Sequence, residues 1–368
     1  MRRGDLLRGL EDGSLLPRLE PVYGGDAVNA AERLSVLMRE YAEIFPCGED
    51  TDVQLFSAPG RTELGGNHTD HQHGHCLAAA VGMDTIACAA RSGTNVIRIK
   101  SRHHRMAEVS LDQLDAQDAE TGSSPSLVRG VAARLTQMGY TVGGFDAYTT
   151  TQVLRGSGIS SSAAFEVLVC AIMNHLFCGD QLSPIQLAQV GQYAENVYYG
   201  KPCGLLDQLS CACGGVIAAG FSDPSNPSVH QVQVDLAAQG YALCIVDAGA
   251  SHASLIDDYA SIPQEMRQAA AHFGKEVLGE VPYKDFQREL PAVRDACGDR
   301  AVLLAQAEEL LGDRGACRIH GGGFAGTIQA FVPQEKLEMF KSGMEAPLGP
   351  GKCHVLCIRP QGGCVITE

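Results

Sequence analysis

Glycine and serine crowd together at three places where a backbone could come close to a charged ligand. The first is Ala58-Pro59-Gly60-Arg61-Thr62-Glu63-Leu64-Gly65-Gly66-Asn67-His68-Thr69-Asp70. The second is Gly156-Ser157-Gly158-Ile159-Ser160-Ser161-Ser162-Ala163-Ala164, and the third is His320-Gly321-Gly322-Gly323-Phe324-Ala325-Gly326. The second has the plainest chemistry. Its glycines let main chain approach a phosphate, and free N–H groups at a helix start attract anions. The hydroxyls of Ser160, Ser161 and Ser162 can bind phosphate oxygens or a metal. A Gly-Ser turn with a serine cap would leave the same pattern, and on this stretch alone the two readings are even. It is not a Walker motif, because no Gly-Lys-Ser/Thr follows, nor a dinucleotide fingerprint, because serine takes the last glycine position.

These stretches need elements to hold them. Phe145 to Leu154 reads as a strand leading into the second motif, and Ala163 to Phe177 as the buried helix leaving it. Val53-Gln54-Leu55-Phe56 reads as a strand running into the first. Apolar residues at Ala27, Ala30, Leu34, Leu37, Met38, Tyr41 and Ile44 have helical spacing. Leu77 to Ala90 is mostly apolar, as in buried strands. Helices are expected at Leu127–Met138, Ser183–Tyr199 and 257–278, with a polar surface loop over 112–126. Core strands are expected at Tyr241–Asp247, Thr327–Val332 and His354–Ile358. Strands and helices mix without regular alternation, which predicts an α+β fold.

Bulk properties narrow the class. The chain has 368 residues, enough for two modest domains sharing a cleft. A net charge of −15 argues against nucleic-acid and anionic-membrane partners. Met1-Arg2-Arg3-Gly4-Asp5 is charged and does not read as a secretory signal, and no apolar run reaches the length of a membrane span. Fourteen cysteines scatter through apolar stretches without a Cys-x-x-Cys pair, which fits reduced thiols in the cytoplasm rather than a zinc framework. His71, His73 and His75 would share one face of a strand, but no cysteine or carboxylate completes a metal set. His103-His104, between Arg102 and Arg105, reads as a basic surface turn.

Three such motifs in this order, with a serine triplet in the middle one, resemble the GHMP kinases, and the first motif resembles the galactokinase family in particular. The resemblance covers roughly residues 53–333. It implies an N-terminal ribosomal-protein-S5-like domain and a C-terminal ferredoxin-like domain with the site between them. The domains expected are an extension at 1–26, an N-terminal unit at 27–215 and a C-terminal unit at 216–368. ATP and Mg²⁺ are the implied cofactors, and the implied reaction moves the γ-phosphate to the anomeric hydroxyl of galactose. Gly156, Ser157, Gly158, Ser160, Ser161 and Ser162 would bind the nucleotide. Glu195 lies twelve residues before Asp207, in a stretch ending Cys203-Gly204-Leu205-Leu206-Asp207-Gln208 that looks like the family's Cys-Gly-x-x-Asp-Gln pattern. By resemblance, Ser162 and Glu195 bind magnesium and Asp207 faces the sugar hydroxyl as general base. Arg61 stabilises the transferring phosphoryl group and keeps Asp207 ionised. Asn67, His68, Asp70 and Tyr259 would contact the sugar; His252 and Tyr259 keep the family's spacing of seven. Without the motifs, Glu195 would read as a solvated helix face, Asp207 as a helix cap and Arg61 as a surface arginine.

Five departures bear on the substrate or the frame. Asn67 replaces the family's usual glutamate, a ligand for the sugar's primary hydroxyl. Asp70-His71-Gln72 replaces the common Asp-Tyr, and plant galacturonate kinases resemble this chain at both points. Asp247-Ala248-Gly249-Ala250 replaces an Asn/Thr-rich turn, and the arginine usual after the tyrosine is absent near Ile262-Pro263. Fewer than twenty residues separate Leu303 from Arg318, where relatives carry several helices. Galacturonate or another modified galactose is thus the alternative substrate. A non-catalytic sugar sensor on the same fold is the alternative class, disfavoured by the presence of Arg61, Ser162, Glu195 and Asp207. Homoserine and mevalonate kinases do not carry the His68-Thr69-Asp70 stretch. A monomer is compatible with this reading.

Overall fold

The computed structural model describes residues 1–66, 69–154, 158–247, 267, 270–282, 284–285, 310–311, 314–320 and 327–366. Its first sheet is organised around one long strand. β1 (Gln54–Gly65) and β2 (His75–Arg91) pair antiparallel, and β2 is long enough to take a different partner at each end. Its second half pairs β5 (Phe145–Thr151), which continues to β3 (Val96–Ser101) and β4 (Met106–Ser110). Its first half pairs β6 (Val216–Gly220), followed by β7 (Ser228–Val232). The strand β12 (Cys364–Val365), near the end of the chain, closes the other side of β1.

Both faces of this sheet are covered, which explains the nearly continuous apolar run of β2. Phe56, Ala58, Ala87 and Ala89 point toward α4 (Ser124–Gln137), α5 (Ser161–Phe177), α6 (Pro184–Tyr193) and α7 (Leu206–Cys213). Leu55, Ile86, Cys88 and Ala90 alternate to the opposite face, under α1 (Arg3–Glu11), α2 (Leu16–Tyr23) and α3 (Ala27–Ile44). Residues 1–26 therefore lie against the sheet's own core, with Leu6, Leu10 and Leu19 buried.

A second sheet, in the order β11 (Cys353–Leu356), β8 (Tyr241–Val246), β10 (Ile328–Pro333), β9 (Ala316–Ile319), is antiparallel throughout. The helix Leu337–Leu348 covers it through Phe340 and Met344. The first sheet runs past residue 215 through β7, and the second begins at Tyr241.

Two elements differ from the sequence expectation. The first motif is largely strand, since β1 continues to Gly65 and absorbs its proline and glycine by shifting register between Pro59 and Arg61. The helix expected over 183–199 gives way at Ala194 to a π-helical turn, Ala194–Tyr199. Such turns recur at functional sites; this one holds Glu195 buried. The segment 257–278 lies mostly outside the described residues.

Candidate active site

β1 delivers the first charged group. A Cβ on Gly60 would stand 2.7 Å from the Ile159 carbonyl oxygen, so only glycine lets the second motif lie against this strand. The Arg61 N–H donates to that same oxygen at 3.1 Å. The buried guanidinium then spans two motifs: Nη1 donates to the Gly158 carbonyl, while Nε and Nη2 donate to Asp207 Oδ1 at 2.8 and 2.5 Å.

Asp207 sits in the first turn of α7. Asp70 lies against the start of that helix, its Oδ2 accepting a long hydrogen bond of 3.4 Å from Leu206 N–H. A Cβ on Gly204 would fall 1.8 Å from Asp70 Oδ2, so the glycine of the Cys-Gly-x-x-Asp-Gln stretch is what admits the Asp70 carboxylate. The other Asp207 oxygen, Oδ2, accepts from Ser160 Oγ. Ser160 holds φ at +57°, left-handed backbone that costs a non-glycine residue about 1–2 kcal/mol. The serine that precedes α5 thus aims at Asp207.

The Asp207 side chain is walled by protein yet 37% open to solvent. Burial works against its charge, but the Arg61 charge and the hydrogen bonds from Ser160 and Arg61 outweigh it. The pKa therefore lies below the ordinary aspartate value.

Behind Asp207 lies a second acidic group. Gln208 Nε2 donates to Glu166 Oε2 at 2.8 Å and to Glu195 Oε2 at 2.9 Å, and Lys201 Nζ donates to Glu195 Oε1 at 2.9 Å. Burial pushes the Glu166 carboxyl well above its ordinary pKa, and the nearby Glu195 charge adds to this. Sequence reasoning missed Glu166 and Lys201. The signal for Glu166 was present: it is the one acid in the otherwise apolar helix from Ala163 to Phe177.

Ser161 and Ser162 open α5 at the edge of a cavity of about 670 Å³ that Phe165, Thr150, His104 and Tyr199 help to line. His103 and His104 are exposed on a turn, as the sequence predicts, and that turn forms part of this wall. The third motif begins at a seam between the sheets. His320 Nε2 meets Thr62 Oγ1 at 2.9 Å, Gln329 Nε2 donates to Thr62 Oγ1 at 2.6 Å, and Arg318 Nη1 donates to the Leu64 carbonyl at 3.1 Å. The second sheet thus grips the strand that carries Arg61. Asn67, His68, Gly156, Ser157, Tyr259 and the glycine run 321–326 lie outside the described residues.

Magnesium prefers hard oxygen ligands and keeps waters and substrate phosphates in its shell, so one or two protein oxygens suffice. Glu195 and Ser162 supply such oxygens. Among the described residues, no group of three or more His, Cys, Asp or Glu residues is placed to hold a metal by itself. No helix among them is long and apolar enough to cross a membrane.

Comparison with known proteins agrees with this geometry. Residues 126–215 match the family model for the GHMP kinases N-terminal domain, and residues 39–91 match the galactokinase galactose-binding signature. The chain is 33% identical to galactokinase from Streptomyces coelicolor over 241 residues, which is 66% of this chain and 62% of that protein. It is 30% identical to galactokinase from Lactococcus lactis subsp. cremoris over 280 residues, 73% of this chain and 67% of the relative. The chain thus spans about three fifths of the length of the Streptomyces enzyme. The crystal structure of Lactococcus lactis galactokinase complexed with galactose superposes with a TM-score of 0.75, at 22% identity, covering 90% of this chain and 99% of that one. The mevalonate kinase of Methanococcus jannaschii superposes at 0.59, with 13% identity, over 83% of this chain and 98% of that one. Both structures share the fold described here.

Proposed function

Since the chain belongs to the galactokinase family of the GHMP kinases, we propose that it transfers the γ-phosphate of ATP to the anomeric hydroxyl of galactose, giving galactose 1-phosphate and ADP. The observation that carries this reading is the Arg61–Asp207–Ser160 cluster on the cleft floor, beside the start of α5. Asp207 presents a charged, partly open carboxylate to an incoming hydroxyl. As the sugar oxygen bonds to phosphorus, its proton passes to Asp207, and the bond between the γ-phosphorus and the ADP oxygen breaks. A depressed pKa makes Asp207 a weak acceptor. A loose transition state asks little of the base until late, so the carboxylate orients the hydroxyl first and takes its proton last. Arg61 Nη1 and Nη2 lie between the base and the loop that would hold phosphate, where charge develops.

The cavity beside Ser161 and Ser162 is the proposed nucleotide site, with Gly156, Ser157 and Gly158 contributing backbone. Ser162 and Glu195 are the proposed ligands of Mg²⁺, which when bound would neutralise charge on the β- and γ-phosphates. Asn67, His68, Asp70 and Tyr259 are the proposed sugar contacts. The proposed location is the cytoplasm, supported by thirteen described cysteines that are all free thiols. The two separate sheets support a division into two units, but not the boundary at 215, since β6, β7 and β12 belong to the first sheet.

A coupled ADP-release assay over galactose, galacturonate, N-acetylgalactosamine, glucose and arabinose tests the reaction. Galactose-dependent ADP release is expected, and binding without turnover would favour the sensor. Asn67 supports a second reading, because an amide does not repel a uronate carboxylate and can donate to it. Asn67→Glu should then shift the efficiency ratio toward galactose and away from galacturonate. An unmoved ratio, with galacturonate ignored by the wild type, leaves galactose as the substrate.

A further inference from the structure

Lys201 has no role in the reaction as described, yet its ammonium lies among the acids of the site. Its Nζ donates to Glu195 Oε1 at 2.9 Å, and its charge also acts on Asp207 and Glu166. The two ends of this pair are unlike. The Glu195 side chain is 3% exposed, whereas that of Lys201 is 38% exposed. A buried carboxylate without a counter-charge is strongly unfavourable, so Glu195 needs a cation whether or not a metal is bound. Lys201 supplies that cation, as Arg61 does for Asp207.

We propose that Lys201 is a placeholder for the divalent cation: it occupies Glu195 Oε1 in the metal-free protein and must be displaced for the metal to bind there. The partial exposure of its stem gives the ammonium room to swing into the cleft. Gln208 remains on the other oxygen and keeps the carboxylate in position. Displacement makes metal binding weaker than the acidic residues alone would make it, while the folded state without metal is protected. This rests on the reading of Glu195 as a metal ligand.

The test uses the full chain with ADP and measures Mn²⁺ binding by electron paramagnetic resonance, together with thermal unfolding in EDTA. Lys201→Met and Lys201→Gln should each bind Mn²⁺ about fivefold more tightly or better, since a like charge a few ångströms away is removed. Both should unfold at a lower temperature than wild type in EDTA and regain that difference with Mn²⁺. Lys201→Arg, which keeps the charge, should stay near wild type in both. Unchanged or weaker Mn²⁺ binding in the variant that folds overturns the proposal, as does wild-type unfolding in EDTA. Glu195→Gln separates the two layers. If it binds Mn²⁺ like wild type, the metal reading of Glu195 itself fails. If it loses Mn²⁺ while the Lys201 variants bind no tighter, only the placeholder role fails.

Discussion

Two aspartate–arginine–serine clusters share the strand β1, which carries Ser57 in one and Arg61 in the other, and they differ in what they leave open. In the first, Asp84 on β2 accepts from Arg33 Nη2 at 2.5 Å, from Tyr23 OH at 2.8 Å, from Ser57 Oγ, and from Arg359 Nη1 at 3.3 Å. Asp84 is fully enclosed and Arg359 is nearly so. Burial, reinforced by the Asp84 charge, pushes the Tyr23 hydroxyl well above its usual pKa. The second cluster is Asp207 with Arg61 and Ser160, which leaves the aspartate side chain 37% open. The first spends its acceptor capacity on protein and ties α2, α3, β1, β2 and the segment before β12 into one body. The second keeps capacity unspent beside a cleft. An ion pair alone does not mark a site; what remains available to a ligand after the protein has taken its share does.

The largest expected effect breaks the open cluster without touching the closed one. Asp207→Asn keeps shape and loses charge, so steady-state turnover should fall by about a hundredfold to ten-thousandfold. Galactose binding by calorimetry should stay near wild type, and the unfolding midpoint should fall less than in Asp84→Asn, because water reaches the Asp207 side chain. Near-normal turnover would remove Asp207 from the mechanism.

Asp84→Asn should invert that result. Breaking a buried pair by removing one charge typically costs about 3–5 kcal/mol. Urea unfolding should register a loss of that order, while activity per folded molecule stays close to wild type. If activity falls and stability does not, the closed cluster is part of the catalytic machinery after all.

Arg61 separates charge from geometry. Arg61→Lys keeps the charge but loses the planar fork, so kcat/KM should drop roughly a hundredfold with the acid limb of its pH profile unmoved. Arg61→Gln removes the charge, and the acid limb should move to higher pH. The direction follows from the depressed Asp207 pKa. Such a group adds stability that is present above its unfolded pKa and is lost as pH falls through its folded pKa. Taking away Arg61 narrows that window from below. Coincident pH profiles for Lys and Gln would mean that Arg61 does not set the ionisation of Asp207.

The closed cluster was illegible in the sequence for a physical reason. Its members are at 23, 33, 57, 84 and 359, each unremarkable among its neighbours, and only the fold brings them together. The open cluster is also assembled over distance, with 146 residues between Arg61 and Asp207. It was legible because both residues sit in stretches that resemble the galactokinase motifs, and the structure shows why those stretches carry glycine: Gly60 and Gly204 lie where a Cβ would collide. Periodicity found α3, β2, β5 and α5, whose apolar patterns are long. It did not find that β1 runs through Pro59 and Gly60, because a register shift has no periodicity of its own. Nor did it find the break at Ala194, where a helical pattern continues while the hydrogen bonding changes. Lys201 was passed over because its role depends on a buried acid six residues away.

The smallest effect gives the sharpest contrast, because each cluster contains one serine. Ser57 Oγ donates to Asp84 and accepts from Arg359 Nη1 at 2.6 Å, in a place closed to water. Ser57→Ala leaves those partners short of a bond, at a cost of about 1–3 kcal/mol, and should not change turnover. Ser160 is differently placed. Its hydroxyl holds Asp207 Oδ2, but water can reach that carboxylate, and its backbone carries the left-handed strain. Ser160→Gly relieves strain of about 1–2 kcal/mol and gives back about 0.4–1 kcal/mol through the freer unfolded chain. With water replacing the lost hydrogen bond, stability should stay within about 1 kcal/mol of wild type or rise. Turnover should fall by roughly tenfold, the size of one modest hydrogen bond that orients the base. Paired unfolding and kinetic measurements on the two variants read the contrast directly. If Ser160→Gly destabilises as much as Ser57→Ala and leaves kcat alone, the cleft-side cluster is structural too. The distinction between a closed pair and an open one would then have to be drawn elsewhere in the molecule.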